Sequence, residues 1–147
     1  MDDHNPIFVT EISGDGPIID VTIKKIGSPF AGLKANGLID TGATDIVISS
    51  DIAEKLDLRY VNPDIMNVAG GGTIGANVYS GFIEVPALNF KRIVPLHAVV
   101  WKQTSHTILL GREFLRHFIF YYDGPKNMFH FSKPMDGMYE FPENLDG

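Results

Sequence analysis

Short apolar segments, broken by turn residues about every 8–12 positions, constrain this chain more than any other feature. The segments expected to form strands are Pro6–Ile12, Ile18–Ile26, Leu33–Ile39, Asp45–Ser49, Ile65–Ala69, Asn77–Val85, Arg92–Trp101, Thr107–Leu110, Ile119–Tyr122 and Met128–Phe131. Only two brief helices are expected between them, Ile52–Leu56 and Arg112–Phe118. Many short strands with few helices predict an all-β barrel or sandwich.

Turn residues predict how these segments connect. Asp15-Gly16 is expected to close a hairpin between the first two strands, and Asp123-Gly124 a hairpin between the last two. Pro63 is expected in a connector, because proline interrupts regular pairing. Ser50 or Asp51 is expected to cap the first helix.

The length and composition favour one ordinary globular domain. The chain has 147 residues, and a single domain over 1–147 is expected, with irregular tails at 1–6 and 134–147. It has no cysteine, which excludes disulfides and thiolate catalysis. Its net charge of −6 argues against nucleic-acid partners. The sequence shows neither a secretory signal nor an apolar run of the ~20 residues that span a membrane, so we expect a cytoplasmic protein without a membrane partner.

Two motifs that could bind a cofactor are weak here. The segment from Gly70 to Gly75 matches G-x-G-x-x-G by letter, but a strand-like segment follows it where a nucleotide site needs a helix. The glycines at 70–72 are better explained as a flexible hairpin tip, or as a mobile flap over a cleft. The histidines lack metal-ligand spacing and are expected to be surface or half-buried residues: His4, His97, His106, His117 and His130. We therefore expect no metal and no cofactor.

Asp40 is the residue whose setting most suggests chemistry. It lies in Asp40-Thr41-Gly42-Ala43, between the apolar pair Leu38-Ile39 and the apolar run 46–48. Aspartate closing a turn is the ordinary explanation for an Asp-x-Gly sequence. Asp40 differs because two apolar strands flank it, and because a second apolar strand, Ile108–Leu110, also ends at a glycine and enters a helix.

These elements together resemble the retroviral-type aspartic proteases, the retropepsin-like family. The resemblance rests on 38–43, on the glycine-rich segment at 70–72 and on Ile108-Leu109-Leu110-Gly111-Arg112, in the family's order, and it covers roughly 8–131. It implies a closed β-barrel-like fold and hydrolysis of peptide bonds by a pair of aspartates. Because the chain has one Asp-Thr-Gly, the pair would require a homodimer with Asp40 from each copy.

The resemblance also implies roles for individual residues. Asp40 would be catalytic, activating a water molecule while the two carboxylates share one proton, with Thr41 and Gly42 supporting the pair. The residues expected to contact a polypeptide substrate are Gly42, Ala43, Thr44, Asp45, Gly70, Gly71 and Gly72. Leu110, Gly111 and Arg112 would support the aspartate loop from beneath.

Three points stay open at the level of sequence. Many viral members carry an acidic residue directly after the alanine, but here Thr44 follows, so the partner of Arg112 is either Asp45 or Glu113. The polar C-terminal tail suits a buried dimer strand poorly, and 119–131 is the better candidate for the dimer sheet. A non-catalytic homodimeric peptide-binding module on the same fold is the alternative function.

Overall fold

The computed structural model describes residues 6–103 and 105–134. The expected tails at 1–6 and 134–147 lie outside these residues except for Pro6 and Pro134, and Pro6 opens the first strand. In chain order the elements are β1 Pro6–Glu11, β2 Ile18–Lys24, β3 Leu33–Ile39, β4 Ile46–Ser49, α1 Ser50–Lys55, β5 Arg59–Asn67, β6 Thr73–Val85, a 3-10 turn Pro86–Leu88, β7 Phe90–Val99, β8 Thr107–Leu110, α2 Arg112–Leu115, β9 Ile119–Asp123 and β10 Met128–Ser132. The all-β prediction with two short helices is confirmed.

Six strands form a closed barrel. They pair in the order β2-β3-β8-β4-β7-β6, and β6 closes the ring by pairing with β2, as in Ile23 opposite Ile83. The strands alternate inward and outward, so Ile19, Val21 and Ile23 of β2 are buried while Asp20 is exposed. Closure leaves the six strands without a free edge, and β5 is attached outside the ring along the long strand β6.

The other three strands form a separate antiparallel sheet in the order β1-β10-β9. The expected hairpin between the first two strands is therefore wrong. A local turn does form, with the Gly16 amide donating to the Ser13 carbonyl at 3.0 Å, but β1 pairs with β10 instead. The aromatic ring of Phe8 packs against Phe129, 5.9 Å between centroids, so side-chain packing accompanies this long-range pairing. The last hairpin is confirmed, with Asp123 opposite Met128.

Several expected boundaries were also wrong. Pro63 lies within β5, opposite Asn77 of β6, rather than in a connector. The outer edge of β5 has no partner strand among the described residues, so a proline that cannot donate a hydrogen bond is tolerated there. The cap of α1 is Ser49, whose hydroxyl accepts from the Ile52 amide at 3.4 Å, rather than Ser50 or Asp51. α2 is a single turn, shorter than predicted.

Aromatic packing joins the barrel to the separate sheet. Phe114 of α2 is fully buried and meets Phe90 of β7 at 5.3 Å and Phe131 of β10 at 6.2 Å between ring centroids. Phe118 contacts both Phe114 and Phe131. Such ring pairs add to the free energy gained by burying their area. The helix α2, which follows Gly111, therefore packs against both the barrel and the separate sheet.

Candidate active site

Asp40 lies at the point where two parallel strands end side by side. Leu38 and Ile39 of β3 pair with Leu109 and Leu110 of β8, and the Asp40 amide donates to the Leu110 carbonyl at 3.1 Å. Ile39 and Leu110 are buried, whereas Asp40 is half-buried. The apolar strands therefore anchor the backbone and leave the carboxylate at the margin of solvent.

The loop after Asp40 folds back on its carboxylate. The Gly42 amide donates to Oδ1 of Asp40 at 3.0 Å, and the Ala43 amide donates to the Asp40 carbonyl at 3.2 Å. A Cβ at position 42 would lie 3.3 Å from that same Oδ1, closer than most such contacts. Thr41 and Gly42 are exposed. The sequence thus places a carboxylate of fixed orientation beside two accessible residues.

The segment at Gly111 grips this loop through its backbone. The amides of Gly111, Arg112 and Glu113 donate to the carbonyls of Asp45, Ala43 and Thr44 at 3.1, 2.9 and 2.8 Å. Gly111 is buried, and a Cβ there would lie only 2.4 Å from the Asp45 carbonyl oxygen. The close approach of the two backbones explains why glycine occupies this position.

The hydrogen-bond partners of Arg112 are neither of the two acidic residues that the sequence suggested. Its guanidinium donates to the Thr41 carbonyl at 2.9 Å and to the Thr44 hydroxyl at 3.0 Å, rather than pairing with Asp45 or Glu113. Glu113 instead lies 3.7 Å from Arg116, its neighbour one turn along the chain. The Thr44 hydroxyl occupies the position next to Ala43 and accepts the hydrogen bond there. Arg112 therefore ties both ends of the Asp40 loop together.

The glycine-rich segment forms the tip of a long hairpin between β5 and β6. The Val68 amide donates to the Gly72 carbonyl, and the Gly71 amide to the Val68 carbonyl, both at 3.2 Å. Gly70, Gly71 and Gly72 all have positive φ, at 86°, 93° and 94°, a region that side chains strongly disfavour. The tip is exposed, and β6 begins at Thr73, four residues earlier than expected. We call β5, the tip and 73–80 the flap hairpin.

One residue beside the loop was missed by sequence reasoning. His97 of β7 is only 7% exposed, so the expectation of a surface or half-buried side chain is wrong for it. Its Nε2 lies 3.0 Å from Oδ2 of Asp64 on β5 and 3.8 Å from Oδ2 of Asp45. Since β7 lies between β4 and β6 in the barrel, its neighbours at 96 and 98 are buried as well. A histidine inside an apolar strand was the available signal.

The surroundings of Asp64 favour its ionised form. The backbone amide of Ile65, together with a hydrogen bond from His97, holds the pKa of Asp64 below its ordinary value of 3.8. Asp64 is accordingly a carboxylate at neutral pH. Among residues 6–103 and 105–134, no group of His, Asp and Glu has an arrangement that could hold a metal ion. None of the helices in the described part of the chain is long and apolar enough to cross a membrane.

Comparison with known proteins identifies the family of this chain. The family described as "gag-polyprotein putative aspartyl protease" matches residues 29–117, more than half of the chain. Comparison with curated protein sequences finds no significant match.

One similar solved structure supports the fold, and two others are less similar. A retropepsin-like aspartic protease from Rickettsia conorii is similar, with a TM-score of 0.59 and 19% identity over 86% of this chain and 89% of that one. EIAV protease, in complex with an inhibitor, has a TM-score of 0.48 and 20% identity over 68% and 85% of the two chains. Simian foamy virus (mac) protease has a TM-score of 0.47 and 19% identity over 68% and 92%. The chain therefore belongs to the gag-polyprotein aspartyl protease family and has the retropepsin-like fold.

Proposed function

We propose that this protein is an aspartic endopeptidase that acts as a homodimer. The observation that carries the proposal is the setting of Asp40, a half-buried carboxylate held by the Gly42 amide at 3.0 Å, with its own amide bound to Leu110. A group whose side chain and backbone are both fixed is preorganised for catalysis. The chain contains Asp-Thr-Gly once, so the second carboxylate has to come from Asp40 of a second copy.

The chemistry follows from bringing the two carboxylates together. At a separation of about 3 Å they cannot both ionise cheaply, so they share one proton, as in aspartic proteases generally. The ionised one takes a proton from water as the water oxygen bonds to the scissile carbonyl carbon, and the protonated one donates to the carbonyl oxygen. The first carboxyl group then gives its proton to the amide nitrogen, the second carboxylate takes a proton from a hydroxyl of the tetrahedral intermediate, and the carbon–nitrogen bond breaks, which leaves one proton on the pair.

The remaining site residues have supporting roles in this proposal. Thr41 and Gly42 are exposed beside Asp40, where Thr41 would brace the pair of carboxylates and Gly42 would contact the substrate main chain. Ala43, Thr44 and Asp45 would line the groove, and Gly70–Gly72 would close over an extended peptide bound like an added strand. Leu110, Gly111 and Arg112 would keep the Asp40 loop in position through the hydrogen bonds described above.

The small β1-β10-β9 sheet is the proposed dimer contact. Within the part of the chain that the structure describes, β1 and β9 are its two edge strands, and edge strands present backbone groups that can pair with another chain. Ile7 and Val9 of β1 are 41% and 49% exposed, and Tyr122 of β9 is 63% exposed. A single domain, a cytoplasmic location and the absence of nucleic-acid partners complete the proposal.

Cleavage of a denatured protein by the wild-type chain and by Asp40→Asn tests the function. The proposal predicts new peptide termini, identified by mass spectrometry, for the wild type and none for Asp40→Asn, with equal melting temperatures. Arg116→Gln serves as a control that retains cleavage, because it removes an exposed charge just after α2. Peptide binding without cleavage by the wild type at acid and neutral pH would favour the non-catalytic binding module instead.

A further inference from the structure

The flap hairpin and the loop that carries Asp40 meet at one buried side chain, that of His97. β7 pairs in parallel with β4, placing His97 opposite Val47, and pairs on its other side with β6, placing His97 opposite Val78. Asn62 of β5 also pairs with Val78. Side chains opposite each other in a ladder lie on one face of the sheet, so this face runs from the active-site loop to the flap hairpin.

His97 spans this face through its Nε2 atom. Asp64 follows Asn62 by two residues and shares its face, and its Oδ2 lies 3.0 Å from Nε2, across the width of β6. Asp45 precedes Val47 by two residues and lies 3.8 Å from the same nitrogen. The first distance is a hydrogen bond, and the second is close electrostatic contact. The Nε2 atom therefore faces one carboxylate from the Asp40 loop and one from the flap hairpin.

The hydrogen-bonding pattern fixes the direction of this contact. Both groups that Nε2 faces are carboxylates, which only accept hydrogen bonds when ionised, so Nε2 carries the hydrogen and donates it. The other ring nitrogen, Nδ1, is buried and has no hydrogen-bond partner among the described residues. A buried nitrogen without a hydrogen-bond partner costs free energy, so a histidine in this apolar strand needs a favourable interaction elsewhere on its ring. The contact to Asp64 supplies one.

We propose that His97 is a positioning residue that fastens the flap hairpin to the Asp40 loop. Asp64 holds the flap hairpin to His97, and Asp45 orients the imidazole ring of His97 from the side of the Asp40 loop. Because the Asp45 carbonyl also accepts the Gly111 amide at 3.1 Å, a shift at His97 reaches the backbone that supports Asp40. His97 does not touch the reacting atoms in this account. Its effect on catalysis rests on the proposed function, but its mechanical effect on the hairpin does not.

The test compares His97→Leu, which keeps the bulk and removes the donor, with His97→Gln, which restores a donor at a similar reach. Asp64→Ala removes only the half-exposed partner, so it keeps the test valid if His97→Leu fails to fold. Glu84→Ala is the matched control, because Glu84 contacts Lys91 across β6 and β7 in the same sheet, away from the loop. Amide hydrogen exchange of 59–67 and the kinetics of peptide cleavage are the two readouts.

Loss of one net hydrogen bond corresponds to about a fivefold change in a local equilibrium. We expect exchange of 59–67 to accelerate about fivefold in His97→Leu and in Asp64→Ala, and KM to rise by a similar factor with kcat within about twofold. The double variant that combines His97→Leu with Asp64→Ala should show the same exchange rate and KM as either single variant, since the two residues form one contact. His97→Gln and Glu84→Ala should resemble the wild type.

The positioning role of His97 and the protease function can be contradicted independently of each other. If the wild type cleaves peptides but neither exchange nor KM responds to His97→Leu or Asp64→Ala, the positioning role is overturned and the protease stands. If exchange responds as predicted and no variant, including the wild type, cleaves, then the link between hairpin and loop is supported and the protease proposal is not. An equal response in Glu84→Ala would also overturn the positioning role, since the effect would then be general to the sheet.

Discussion

Replacing Gly111 by alanine should destabilise the loop that carries Asp40. Gly111 is in extended conformation, with φ −81° and ψ −166°, which any residue adopts, so the change introduces no backbone strain. What changes is the contact: the new Cβ would lie 2.4 Å from the Asp45 carbonyl oxygen and 2.6 Å from that of Ala43. Ordinary contacts begin at 3.4 Å, so one backbone has to move by about 1 Å.

The cost can be worked out from the bonds that this movement disturbs. The amides of 111, 112 and 113 donate to the loop at 3.1, 2.9 and 2.8 Å. At a net contribution of about 1 kcal/mol each, their disruption costs about 3 kcal/mol. Overpacking a core independently costs about 1–3 kcal/mol, which agrees with this value at its upper end. We therefore expect a loss of about 3 kcal/mol, or roughly 6–12 °C in melting temperature.

Urea unfolding followed by circular dichroism measures this loss, at one protein concentration because the proposed dimerisation would contribute to stability. Gly14→Ala is the control, since its Cβ would meet nothing within 4 Å. A loss of less than about 0.5 kcal/mol for Gly111→Ala, similar to the ordinary effect of surface changes, would refute the argument that the two backbones are in close contact.

Two further predictions concern the core and pH. Phe114→Ala should cost about 3–5 kcal/mol by unfolding, because Phe114 is fully buried, whereas Phe30→Ala should cost almost nothing, because Phe30 is 79% exposed; equal losses would contradict the packing. Burial, with nearby Arg92 and Arg116, lowers the pKa of His117 below 6.5, so the unfolded chain binds the proton more readily. Stability from this source is complete above pH 6.5 and is lost as pH falls below it. His117→Gln should reduce the difference in unfolding free energy between pH 7.5 and 5.5, and an unchanged difference would exclude this cause.

Features that depend on local sequence were the ones that could be predicted. Alternation of apolar residues marks a strand such as β2 wherever it pairs, and the turn after Asp40 is closed within its own residues by the Gly42 amide. The sequence could not predict that β1 pairs with β10, because the paired residues lie near opposite ends of the chain, as do Phe8 and Phe129, whose rings are in contact. Pro63 was misplaced because its tolerance depends on β5 being an edge strand, which is a property of the assembled sheet.

The same distinction applies to the candidate site. The partner of Arg112 is a backbone carbonyl and a hydroxyl, groups that charge patterns in a sequence do not reveal. His97 was missed because its partners, Asp45 and Asp64, lie 52 and 33 positions away in the chain. Their meeting depends on the pairing of four strands, so only the folded structure shows it.

Mixing wild-type and variant subunits shows whether one active site needs Asp40 from two chains. Wild-type protein is equilibrated with a ninefold excess of Asp40→Asn, and peptide cleavage is measured at a fixed amount of wild type. Random pairing leaves roughly one tenth of the wild-type chains paired with each other, so activity should fall to about one tenth of its value without the variant. Activity that is independent of the excess, in chains shown by labelling to exchange, would mean that each chain holds a complete site and that no shared pair of Asp40 residues exists.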